Sequence, residues 1–68
     1  MAEFIVTLQP GADLKRVAAA CRTAGATVVS ELETLDMLVL DTGEAMLPAL
    51  RALPGVAAVE PGHDVGIS

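Results

Sequence analysis

The side chains of this 68-residue chain that could do chemistry gather at its end, where "VEPGHDVGIS" brings Glu60, His63, Asp64 and Ser68 close together in sequence. Serine, histidine and aspartate are the parts of a nucleophilic triad, but a triad works only when a rigid scaffold holds them about 3 Å apart beside an oxyanion hole. A proline- and glycine-containing tail offers neither, so no catalytic activity is expected. Glu60, His63 and Asp64 also carry donors a metal could use. No C-x-x-C or H-E-x-x-H spacing accompanies them, so neither a metal nor a cofactor is expected, and the lone histidine reads as solvated. The single Cys21 has no internal partner for a disulfide and reads as a small buried hydrophobe rather than a reactive thiol. The "PGAD" and "TGE" turns hold too little glycine for a phosphate loop, and ordinary turn and cap chemistry accounts for them.

The tail acquires meaning only from what carries it. "EFIVTLQ" is rich in β-formers and closed by "QPG", which predicts a strand over Glu3 to Gln9 with Phe4, Val6 and Leu8 on one face. "ADLKRVAAACRTAG" predicts a helix: Asp13 is its N-cap, Leu14, Val17, Ala18 and Cys21 recur at helical spacing, and Gly25 is the left-handed stop. "ATVVSEL" and "LDMLVLD" predict two strands, near enough across "ET" to pair as an antiparallel hairpin. "EAMLPALRAL" predicts a second helix with Met46 or Leu47, Leu50 and Leu53 on one side and Thr42 as a cap. Pro48 requires that this helix begin late or carry a distorted first turn. "PG" at Pro54 and Gly55 ends it, and "VAAVE" supplies a last strand.

The order β-α-β-β-α-β, with a faint echo between "CRTAGATVVSE" and "LRALPGVAAVE", predicts an α+β fold. Its layout is the ferredoxin-like βαββαβ sandwich, a four-stranded antiparallel sheet with two helices on one face. Residues 1–64 form the domain and 65–68 a tail. Such a fold leaves one sheet face bare. Ile5, Val28 or Val29, and Leu38 or Val39 provide aliphatic residues for both faces, so a patch remains on the bare one, and patches of that kind mark partner surfaces.

Composition narrows the partners. The chain is 53% hydrophobic with one Phe and no Trp or Tyr, so the core is aliphatic and, at this length, of modest stability. Nine acidic residues face four basic ones, for a net charge of -5, which argues against nucleic acid and anionic membrane. No stretch approaches the ~20 apolar residues of a membrane span, and "MAEFIVTLQPG" lacks the pattern of a signal peptide. A cytoplasmic location is expected for the chain as given, and an extracellular one if it is a fragment of a secreted precursor.

"FIVTLQPGADL", "AGATVVSEL" and "LPALRALPGVAAVEP", in this order and spacing, resemble the subtilisin-propeptide family of subtilase prodomains and stand-alone proteinase B type inhibitors. The resemblance implies the same ferredoxin-like sandwich, with its open sheet face docked on surface helices of a subtilisin-like serine protease and its tail lying in the active-site cleft. By position, Val65, Gly66, Ile67 and Ser68 would fill successive substrate pockets. Ser68 would lie nearest the catalytic serine and Val65 in the apolar pocket farthest from it. Glu60 matches a family acid that caps a protease helix, where N–H groups and the helix dipole favour an anion. Some prodomains continue with further acids where this chain has Pro61 and Gly62, so Asp64 would have to serve instead.

The expected function is therefore inhibition of a subtilisin-like serine protease, with folding assistance as a companion role. The free protein would be a monomer that forms a one-to-one complex. The rival is a small ferredoxin-like regulatory or dimerisation module in which the tail is idle and a second copy covers the aliphatic face, giving a homodimer.

Overall fold

Strict alternation along the first strand decides which way the sheet faces. In β1 (Ala2–Leu8), Phe4, Val6 and Leu8 are buried while Glu3, Ile5 and Thr7 are not. The fold is given by a computed structural model that describes residues 2–62. After β1 come α1 (Leu14–Ala24), β2 (Thr27–Leu32), β3 (Met37–Thr42), α2 (Leu47–Arg51) and β4 (Val56–Pro61). The four strands form one sheet in the order β2-β3-β1-β4, antiparallel at every pairing, an arrangement consistent with the ferredoxin-like layout.

The first helix follows its local signals. The Asp13 carboxylate accepts from the backbone N–H groups of Lys15 and Arg16 at 3.1 and 3.4 Å, satisfying donors that the first turn leaves unpaired. Leu14, Val17, Ala18 and Cys21 are its buried residues. At the other end Gly25, at φ 113°, takes the left-handed conformation that closes the helix. Leu50 of α2 enters the same core, beside Leu38 and Leu40 of β3 and Val56 and Val59 of β4. Both helices therefore cover one face of the sheet.

The second helical segment departs from expectation in an instructive way. It is an α-helix of only five residues, preceded by a 3-10 turn over Glu44–Met46. Pro48 falls in the first turn of the α-helical part, where its missing N–H leaves no intrahelical bond unmade. The helix thus starts late, as the proline required. Leu53 lies beyond its end, although it still packs against the core. Thr42 is not the cap. It is the last residue of β3, only 2% exposed, and Gly43 occupies the cap position without a side-chain bond. Threonine suits both a strand and a cap, and the pairing of Thr42 with Ala2 settles it as strand.

Both edge strands carry a bulge. In β2 the register shifts between Val28 and Ser30, leaving Val29 unpaired, and on the β1–β4 ladder it shifts between Thr7 and Leu8, leaving Ala57 unpaired. The internal echo is accordingly displaced by one residue in space. Glu31 pairs with the inward-facing Leu38, whereas Glu60 pairs with the outward-facing Ile5. The two matching glutamates lie on opposite faces.

Candidate functional site

The sheet face away from the helices is built from the alternate residues left over by the core. The register aligns them in rows across the strands. Ser30, Val39, Ile5 and Glu60 form one row, and Leu32, Met37, Thr7 and Ala58 form the next. A third row, at the end where β1 begins, holds Thr27, Asp41 and Glu3. Directly paired antiparallel residues project to the same side, so these rows share one surface. The middle of the face is aliphatic, and Val29, 51% exposed in its bulge, extends that character at the β2 edge. The register thus resolves both sequence alternatives: Leu38 is fully buried and Val39 faces outward, while Val28 packs against the core and Val29 does not.

Glu60 stands on this same face. It is exposed, and its neighbour across the ladder is Ile5. Two residues on, the Gly62 N–H donates to the Glu3 carbonyl at 2.9 Å, continuing the ladder past Pro61. A Cβ at Gly62 would stand 2.8 Å from Ile5 Cγ1, so glycine permits the close approach of this segment to the aliphatic row. Pro61 is tolerated because β4 is an edge strand and its nitrogen is not needed by a further neighbour. Asp64, His63 and the tail residues Val65, Gly66, Ile67 and Ser68 lie outside the described residues.

The helix side has a different electrostatic character. Lys15 Nζ donates to Glu31 Oε1 at 2.7 Å and lies 3.7 Å from Glu33 Oε2, while Arg22 Nη2 reaches Glu31 Oε2 at 3.4 Å. The hydrogen bond from Lys15 lowers the Glu31 pKa below the ordinary carboxylate value, and the same bond raises that of Lys15. Arg51 donates to the Val59 carbonyl at 3.4 Å. This cluster ties α1 to the edge strand β2; sequence reasoning missed it because Glu31 reaches the helix side only through the bulge at Val29. Burial pushes the Cys21 thiol up, more than the nearby Arg22 charge draws it down. At the far end of the β2–β3 hairpin a shallow groove of ≈ 420 Å³ is lined by Glu31, Leu32, Glu33, Thr34 and Leu35. Among the described residues no three His, Cys, Asp or Glu side chains come together as a metal set.

Among the described residues the sheet face away from the helices is bare and largely aliphatic, with Glu60 exposed on it. Residues 1–62 match the model of the Putative peptidase inhibitor domain family. The chain belongs to that family. No curated protein and no solved structure matches it. Membership in a peptidase-inhibitor family makes a peptidase the implied partner, and the matched span covers the whole sheet and both helices of the inhibitor domain. Within the described residues of the inhibitor domain, no helix is long and apolar enough to cross a membrane.

Proposed function

We propose that this inhibitor domain acts on a subtilisin-like serine protease, docking by its open sheet face and presenting Val65, Gly66, Ile67 and Ser68 to the active-site cleft. The observation that carries the reading is the face itself: two adjacent rows that carry Ile5, Val39, Leu32, Met37 and Ala58, uncovered by any element among the described residues. The bulges at both sheet edges support docking by the face rather than by an edge, because a bulge spoils the template that strand addition needs. Glu60, exposed on the same surface, would meet the N-terminus of a protease helix, and Asp64 would supply the second acid. An extended tail can pair with the cleft wall through main-chain hydrogen bonds while alternate side chains enter pockets. Tethering to a docked domain raises its effective concentration, so two weak contacts yield a tight one.

A bare aliphatic face also invites self-pairing. The carboxylates of Glu3, Asp41 and Glu60 on that face oppose it, since a face-to-face homodimer would bring like charges together. The test is titration of the chain against a panel of subtilisins, intact and lacking Val65–Ser68. Inhibition by the intact chain, weakened by the truncation, is the expected result. No inhibition of any enzyme removes the proposed target, and equal potency after truncation removes the role of the tail. A light-scattering mass that reports a dimer unaffected by excess protease would favour the self-associating module instead.

A further inference from the structure

Gly62 follows directly on β4, and its N–H donates to the Glu3 carbonyl at 2.9 Å, one position past the pairing of Pro61 with Phe4. Proline has no N–H to give, so this is the first backbone donor available after Glu60. The outward side of Gly62 is already taken. A Cβ there would stand 2.8 Å from Ile5 Cγ1 and 3.2 Å from Ile5 Cδ1, too close to be accommodated unless something moves. The third neighbour, the Ile5 nitrogen, is 3.7 Å away, an ordinary contact. The Ile5 side chain alone therefore fills the place that a side chain at 62 would need. The backbone supplies no other reason for glycine, since Gly11, Gly25 and Gly55 have positive φ and Gly62 does not. Gly43 is its counterpart: φ is -85°, and a Cβ would meet nothing within 4 Å. Ile5 lies on the inner strand β1 between Val39 and Glu60, and a β-branched side chain is stiff at χ1. Gly62 is tied to the sheet by one backbone bond among the described residues. An added methyl group would thus break the ladder bond before it turned Ile5.

We infer that Gly62 is a positioning residue: Ile5 lying across it, together with the bond to Glu3, fixes the point from which the proposed tail departs. The inference rests on the docking reading above and deepens it. A tail gains effective concentration from a docked face only when its starting point is held relative to that face. Ile5 belongs to the aliphatic row proposed to dock, and Gly62 leads toward Val65, Gly66, Ile67 and Ser68. One contact therefore couples the two parts of the inhibitor, and only a residue without a side chain permits it.

The experiment compares the intact chain with Gly62→Ala, with the control Gly43→Ala, and with the double variant Gly62→Ala, Ile5→Ala, which lacks the colliding Cγ1 and Cδ1. In the free protein, hydrogen exchange of the residue-62 amide is measured relative to an unstructured peptide of the same sequence. Exchange should be about tenfold faster in Gly62→Ala than in the parent, and protection should return in the double variant. Unchanged protection in Gly62→Ala, or no recovery in the double variant, overturns the contact as the reason for glycine. Against a subtilisin that the intact chain inhibits, Gly62→Ala should weaken inhibition about tenfold while Gly43→Ala leaves it unchanged. In the chain lacking Val65–Ser68 the two substitutions should be alike. A loss of the same size with and without those four residues overturns the positioning role, because it places the effect in the open face. No loss in the intact chain overturns it as well. Either result leaves the docking reading standing. An intact chain that inhibits no subtilisin removes that reading and the positioning role with it, while the exchange measurement still decides the contact between Gly62 and Ile5.

Discussion

Gly55 and Cys21 show how single positions are constrained by their surroundings rather than by their chemistry. Gly55 has φ 91°, and a Cβ there would stand 2.9 Å from Val17 Cγ2 and 3.3 Å from the Ala12 Cβ. Gly55→Ala therefore combines left-handed strain with a collision against the helix, and should lower stability by roughly 1–3 kcal/mol, measured by chemical denaturation. Cys21 is fully buried and its thiol is pushed toward the protonated form. In the folded domain it should resist a thiol reagent at neutral pH and react at the rate of unfolding, which makes labelling a measure of opening. Both positions were readable from their neighbours in sequence: a "PG" after a helical run asks for a positive φ at the glycine, and Cys21 falls on the apolar stripe with Leu14, Val17 and Ala18. Thr42 was misread because a threonine between a strand and a helix satisfies the local rules of either.

At the level of elements, alternation along β3 sets a core residue beside a residue of the open face. Leu38 is fully buried in the central part of the sheet, while Val39 faces outward in the aliphatic row. Leu38→Ala should cost about 2–5 kcal/mol, enough to unfold much of a domain this small. Val39→Asp should leave the fold standing, as judged by circular dichroism, yet abolish inhibition of the target protease. The tie between α1 and β2 has a pH signature. Lys15 lowers the Glu31 pKa, so the unfolded chain binds the proton more tightly at that site. The stability from this pair is complete above the ordinary carboxylate pKa of about 4.3 and is lost as pH falls through the lower folded value. Glu31→Gln should flatten the Tm-against-pH curve in that acidic window, by a small amount because the cations are exposed. The elements themselves follow from hydrophobic period and caps, which act within a few residues. The bulges at Val29 and Ala57 do not, since a bulge exists only relative to a partner strand; the outward assignment of Glu60 and the inward one of Glu31 could not be fixed without it.

For the molecule as a whole, the small and mostly aliphatic core of a 68-residue chain leaves little reserve of stability, and a partner that binds only the folded form adds to it by mass action. The complex with a tight-binding protease should therefore melt at a higher temperature than the free domain, with a Tm that rises with protease concentration. The order of elements was enough to give the α+β architecture, because short connections and antiparallel hairpins leave few ways to arrange four strands and two helices. Which aliphatic residues faced outward was not, because "FIVTL" and "MLVL" read as apolar on both sides until the register is known.

The ladder bond from Gly62 to Glu3, beside the pairing of Ala2 with Thr42, brings the two ends of the described chain to neighbouring strands at one end of the sheet. Ends so placed can be joined by a short linker, and the polar turn of the β2–β3 hairpin can be opened in exchange. A circular permutant of this 68-residue chain beginning at Leu35 would keep every strand pairing among the described residues while placing Val65–Ser68 inside a closed loop. It should fold like the parent by circular dichroism and lose inhibition, separating in one molecule the sheet proposed to dock from the tail proposed to occupy the cleft.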